Sequence, residues 1–179
     1  MLGAPREKRR TNQSGSCLIL TRMKVCHFKK SKMPRWICAR LKKLGMKSFL
    51  KTTGGKGLHV VLPFQKGPSW EEVRAFSEAM AGLMAEDAPE LYTVNSRKAA
   101  RKGKIYIDYL RNNKAASAIA PYPTRAKPVA PIALPLAWEE LKQSKTPNQF
   151  MPKKFSDWRQ RVCHDPWKDL SKLKQKLKL

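Results

Sequence analysis

Acidic residues are missing from a long early stretch of the chain: after Glu7 no aspartate or glutamate occurs until Glu71. A metal centre drawing on that stretch would find no carboxylate. Apolar runs are short, none near the ~18 residues that a membrane-spanning helix needs, so no membrane role is expected. The basic N-terminus carries neither the apolar stretch nor the small-residue cleavage site of a secretory signal, which makes an intracellular protein the default. Cysteine is sparse, and Cys17, Cys26, Cys38 and Cys163 have no paired spacing. A zinc site built from Cys17, Cys26, His27 and Cys38 would need irregular gaps, so free thiols are expected.

What the chain has in excess is positive charge: 38 Lys and Arg against 13 Asp and Glu give a net charge of +25 over 179 residues. That balance favours a polyanionic partner, most simply nucleic acid, because each cation facing a phosphate releases a condensed counterion. A ribosome-like basic protein would show the same balance, so charge alone names no activity. A hydrophobic content of 41% is compatible with one folded domain.

The most informative stretch is Lys51-Thr52-Thr53-Gly54-Gly55-Lys56-Gly57-Leu58-His59, followed at once by Val60-Val61-Leu62. Glycines at 54, 55 and 57 let main-chain N–H groups turn inward around an anion. Lys51 and Lys56 add charge, Thr53 a hydroxyl, and His59, at the start of a buried strand, an imidazole donor. A P-loop is excluded: with Lys56 as its lysine, Leu50 stands where the first glycine belongs and Gly57 where the hydroxyl belongs. The plainer reading is a flexible hairpin loop with incidental lysines.

Residues 1–35 hold ten Lys or Arg, one acid, and no clear helical or strand period, which reads as a basic, disordered segment. From Trp36, the apolar residues Ile37, Leu41 and Leu44 recur at helical spacing, with Gly45 as a left-handed terminator. Ser48 to Leu50 read as a strand into the glycine loop, and Leu58 to Phe64 as the strand leaving it. Ser69 with Glu72 forms a capping box, and Trp70, Val73, Phe76, Met80 and Leu83 make an apolar stripe.

A second informative region runs from Ser96 to Asn112. Ser96 to Arg101 read as a basic helical turn ended by Gly103, and Lys104 to Leu110 as a strand. Ile105, Ile107 and Tyr109 share one face; Tyr106, Asp108 and Leu110 share the other. An aspartate inside such a strand needs a partner. Either Arg101 or Arg111 pairs with it, or it is a metal carboxylate aimed into a cleft. Beyond Asp165-Pro166-Trp167, the residues Leu170, Leu173 and Leu177 with interleaved lysines read as a basic amphipathic helix, docked on its own domain or lying on DNA or membrane.

Lys-Thr-Thr-Gly-Gly-Lys-Gly-Leu-His-Val-Val resembles the second motif of the archaeo-eukaryotic primase superfamily, in the form found in the polymerase domain of bacterial ligase D. Lys-Ile-Tyr-Ile-Asp-Tyr-Leu-Arg-Asn, around Asp108, resembles the third motif, and Ala115 to Arg125 the segment that follows it. The closing run from Pro128 to Leu141 and the Asp165-Pro166-Trp167 end are similar to the family as well. The resemblance covers residues 36–170 and implies a mixed α/β (α+β) primase-polymerase fold, with a central, largely antiparallel sheet flanked by helices. It divides the chain into a disordered, aberrant or frame-shifted segment 1–35, a partial polymerase domain 36–170 and a basic tail 171–179.

By resemblance, the chemistry is template-directed nucleotidyl transfer to DNA ends in non-homologous end joining, with Mg2+ or Mn2+. Thr53, Lys56, His59, Arg101 and Arg125 would hold the NTP or dNTP triphosphate, Asp108 would be the catalytic metal carboxylate, and Arg111 would stand behind it. Thr53 takes a place where the family more often has serine. A ligase domain, a Ku-type end-binding protein and a bacterial cytoplasmic, nucleoid-associated location are implied in the same way. The departure is the family's Asp-x-Asp pair, which has no counterpart, so the chain is expected to be truncated and impaired alone; a non-catalytic nucleotide- or DNA-binding remnant is the alternative. One origin for the gap is a shifted frame. Read from the third base of each codon, residues 18–35 can spell Asp-Pro-Asp-Ala-Asp-Glu-Gly-Leu-Pro-Phe-Gln-Glu-Val-Lys-Asp-Ala-Ala, which resembles the segment just after that pair.

Overall fold

The computed structural model describes residues 16–24, 33–55, 57–114, 116–126, 130–142 and 155–178. In chain order these form β1 (Ser16–Lys24), α1 (Met33–Lys43), β2 (Phe49–Thr52), β3 (Gly57–Phe64), α2 (Trp70–Asp87), β4 (Tyr92–Thr93), β5 (Ile105–Asp108), β6 (Pro135–Leu136) and α3 (Phe155–Cys163). The sheet runs β4-β5-β1-β3-β2-β6. Every pairing is antiparallel except β4 with β5, so the sheet is mixed and largely antiparallel, as the resemblance implies.

Alternation along the strands separates two faces. Leu58, Val60, Leu62 and Phe64 of β3 join Leu50, Ile105, Ile107 and Leu136 in one apolar cluster with Ile37 and Leu41 of α1 and Val73, Met80 and Met84 of α2. Fully burying a leucine such as Leu62 contributes about 1.5–3 kcal/mol. The intervening residues Lys51, His59, Tyr106 and Asp108 belong to the other face. That face is covered as well, because every residue of β3 is buried. Part of the cover is Trp167, whose ring meets Phe49 edge-on at 5.8 Å and whose Nε1 donates to the Leu50 carbonyl at 2.9 Å.

Helix α1 ends as its sequence dictates. Gly45 has φ +68°, its N–H donates to the Lys42 carbonyl at 2.9 Å, and the Met46 N–H donates to the Leu41 carbonyl at 2.8 Å. This is a Schellman closure with Leu41 and Met46 both buried. Leu44, expected in the helix's apolar stripe, falls on this turn and is exposed. Helix α2 starts with the expected capping box between Ser69 and Glu72. Its buried stripe is Val73, Ser77, Met80, Ala81 and Met84, while Trp70 and Leu83 are exposed. The inward line is shifted from the expected one because Ser77 can be buried: its hydroxyl donates to the Val73 carbonyl at 2.7 Å and accepts from Asn112 Nδ2 at 2.9 Å.

Two ends of the chain differ from their sequence reading. Residues 16–24, read as lacking a strand period, form β1 in the middle of the sheet, where the run Leu18-Ile19-Leu20-Thr21 pairs with the Val- and Leu-rich β3, through a bulge between Ile19 and Thr21. Residues 1–15 and 25–32 lie outside the described residues. At the other end the expected amphipathic helix is a three-residue 3-10 turn, Leu170–Lys172, followed by irregular chain. The docking reading holds: Leu177 is buried in the core cluster.

Candidate functional site

Strand register brings the polar candidates into one row. Lys51 of β2 lies opposite His59 of β3, His59 opposite Arg22 of β1, and Arg22 opposite Asp108 of β5. Directly opposed residues share a face, so His59 and Asp108 lie on the same face, two strand spacings or about 10 Å apart. Arg22 holds the register position between them.

The row is buried at its β2 and β3 end, with Lys51 and His59 only 3% and 5% exposed. Lys51 Nζ donates to the Ile119 carbonyl, which brings the segment after β5 over the sheet. A buried ammonium group needs such partners, and the Ile119 carbonyl is one of them.

At the edge of the row, Gly54 takes φ +62°. A Cβ there would lie 3.0 Å from Arg125 Cγ and 3.0 Å from the Pro131 carbonyl oxygen, so the absence of a side chain is what admits the Arg125 segment. Arg125 Nη1 donates to the Thr53 carbonyl at 3.2 Å, and the Arg125 N–H donates to the Pro131 carbonyl at 2.9 Å. Thr53 is buried, and its hydroxyl donates to the Gly57 carbonyl at 3.1 Å, closing the glycine turn upon itself. Lys56 lies outside the described residues.

At the other edge, the guanidinium of Arg101 stacks 3.8 Å from the centre of the Tyr106 ring and donates through Nη2 to the Ser96 carbonyl. This cation–π contact fixes Arg101 on the same face as Asp108. Burial first, then the charge of Asp108, pushes the Tyr106 hydroxyl up, with Arg101 and Arg111 opposing. Asp108 pairs with Arg111, Nε to Oδ2 at 3.4 Å, rather than with Arg101. Lys51, read from sequence as a charge of the glycine loop, and Tyr106, not named as a site residue from sequence, complete the site. The signal for both was the period-2 alternation, which sets Tyr106 two positions before Asp108 and Lys51 two after Phe49.

Divalent metal ions fit this donor set poorly. Twelve of the 13 acidic residues lie among the described residues, and among these no group of three His, Cys, Asp or Glu could hold a metal ion. Asp108 alone, already facing Arg111, cannot hold two divalent cations close together against their repulsion. What this part of the sheet offers instead is the nitrogen side chains of Lys51, His59, Arg101 and Arg125.

Comparisons with known proteins agree with this architecture. The family model of the LigD primase-polymerase domain matches residues 27–167. The multifunctional non-homologous end joining protein LigD of Pseudomonas aeruginosa is 36% identical over 141 residues, 76% of this chain and 16% of that protein. The bifunctional non-homologous end joining protein LigD of Bacillus subtilis is 33% identical over 111 residues, 62% of this chain and 18% of that protein. Among solved structures, the polymerase domain from Mycobacterium tuberculosis ligase D in complex with DNA superposes with a TM-score of 0.67 at 25% identity, covering 77% of this chain and 47% of that one. The matched stretch is thus less than a fifth of the full length of these LigD proteins.

Proposed function

The chain belongs to the LigD primase-polymerase domain family, and we propose that it is a partial polymerase domain serving non-homologous end joining repair, with the triphosphate-binding half of the site kept and the metal-binding half lost. One observation carries the reading: Lys51, His59 and Asp108 fall in a single row across the sheet, with Arg22 at the remaining position. On this reading Lys51, His59, Arg101 and Arg125 bind the triphosphate of an NTP or dNTP, with Thr53 and Lys56 as the further residues that the resemblance implies. Asp108 stands where the family's metal carboxylate belongs, and Arg111 neutralises it.

Template-directed nucleotidyl transfer is the activity proposed for the parent domain, with Mg2+ or Mn2+ as its cofactor, DNA ends as its substrate, and a ligase domain and a Ku-type protein as its partners at the nucleoid. For this chain alone that transfer is impaired. The alternative, a non-catalytic nucleotide- and DNA-binding protein, is favoured specifically by the Asp108–Arg111 pair.

The test is primer extension with Mn2+ and ribonucleotides, run beside ATP binding in EDTA. Binding with no addition above background is expected; robust templated addition overturns the proposal. The frame-shifted origin of residues 1–35 is part of it. Sequencing the encoding DNA should find codons whose shifted reading spells the acidic string given above, and codons that cannot do so remove that origin.

A further inference from the structure

The longest acid-free stretch of the chain, residues 8–70, meets another acid-free stretch, residues 170–179, in the fold. Gln175 is the clasp. Its Oε1 accepts from the Lys47 N–H at 2.8 Å, its Nε2 donates to the Lys47 carbonyl at 2.8 Å and to the Pro63 carbonyl at 2.5 Å, and its own carbonyl accepts from the Gln65 N–H at 2.8 Å. Burial then alternates along the strap. Leu173 and Gln175 are half-buried and Leu177 is buried, while Lys174, Lys176 and Lys178 are exposed. Lys178 Nζ lies 3.2 Å from where a Cβ on Gly45 would sit, which puts it over the turn that follows the exposed Lys42 and Lys43. The exposed Lys47 lies under the clasp. None of these six lysines forms an ion pair among the described residues.

We infer that this ridge of Lys42, Lys43, Lys47, Lys174, Lys176 and Lys178 is a sequence-independent binding site for the phosphate backbone of a nucleic acid, separate from the proposed triphosphate site. Gln65, where the strap is pinned, is six positions along the chain from His59, about 20 Å in extended chain. The ridge therefore adds a second anchor and does not depend on the triphosphate reading. Its lysines are point charges with no carboxylate paired to them among the described residues, the pattern that exchanges condensed counterions for contact with phosphates. Leu177 is buried and Leu173 half-buried, so among the described residues the strap presents no fully exposed leucine for insertion into a lipid surface.

The experiment is binding of fluorescent oligonucleotides of mixed sequence to the full chain across a salt series. Each lysine contacting phosphate contributes about 0.9 to the slope of log affinity against log salt on duplex DNA and about 0.7 on a single strand. Lys174→Gln/Lys176→Gln/Lys178→Gln should lower the duplex slope by about 2 to 3 while ATP binding in EDTA stays within twofold. A charge-matched control, Arg74→Gln/Lys114→Gln/Arg159→Gln, should lower it by less than 1. If the triple variant unfolds by circular dichroism, Lys174→Gln/Lys176→Gln, which leaves Lys178 on its turn, should still lower the slope by about 1.5 to 2. An unchanged slope, an equal fall in the control, or equally tight binding of polyglutamate or phosphatidylserine vesicles through the same lysines overturns the assignment. Loss of ATP binding with an intact DNA slope would instead count against the triphosphate site alone.

Discussion

Asp108→Asn separates a site that works through metal from one that binds phosphate directly. In a site where the carboxylate holds a divalent ion, removing its charge weakens nucleotide binding and ends transfer. Here Asp108 is an anion facing Arg111, two strand spacings from His59. A phosphate held at His59 would lie about 10 Å away, where two unit charges repel by about 1.7 kcal/mol at an effective dielectric of 20. Salt with a Debye length of about 8 Å lowers this to about 0.5 kcal/mol for the most solvent-accessible path. Asp108→Asn should therefore tighten ATP binding in EDTA by about 2- to 20-fold. Fluorescence anisotropy of labelled ATP at two salt concentrations would measure it, and the gain should shrink at the higher one. Stability should scarcely change, since an ion pair with so exposed an arginine is worth about 0–1 kcal/mol. Weaker ATP binding in the variant, or loss of a Mg2+- or Mn2+-dependent strengthening shown by the unaltered chain, would refute the reasoning.

Other perturbations probe the scaffold. Ser69→Ala removes the hydroxyl of the capping box and should cost about 1 kcal/mol in urea unfolding. Gly54→Ala places a Cβ 3.0 Å from a backbone carbonyl at a positive φ. It should cost at least about 1–2 kcal/mol and weaken ATP binding by displacing Arg125. Burial and the charge of Asp165 push the Tyr122 hydroxyl up to about 12. The folded state thus holds that proton more tightly than the unfolded chain, whose tyrosine titrates near ~10. Stability falls as pH rises between those values, and Tyr122→Phe should flatten that part of the fall in thermal midpoint.

Much of the site was legible because its signals are local. The glycine turn, the His59 strand and the alternation around Asp108 each declare themselves within nine residues, and the two-faced sheet follows from that alternation. Spacing left Asp108 either paired with Arg101 or Arg111 or free to act as a metal carboxylate. Packing decided for Arg111, because the ring of Tyr106 occupies Arg101. The clasp at Gln175 was illegible for a different reason. It works through backbone groups of Lys47, Pro63 and Gln65, more than a hundred positions away, and hydrogen bonds to main chain leave no trace in side-chain pattern.

Strand β1 shows how a long-range constraint overrides local composition. Between Ser16 and Lys24 there is one short apolar run, residues 17–20, set between Ser16 and Thr21, too little for a period-based reading. The vacancy between β3 and β5 still requires a strand, since their facing edges would otherwise leave backbone donors and acceptors unpaired inside the domain. An antiparallel ladder accepts almost any residues on backbone terms, so the sheet closes whatever β1 spells. The chemistry does not tolerate the same freedom: the register position beside both His59 and Asp108 falls to Arg22, a residue that can attract phosphate but cannot ligate a divalent ion. On the proposed reading fold and catalysis part at this strand, because pairing with β3 and β5 needs only a backbone while a metal centre needs specific side chains.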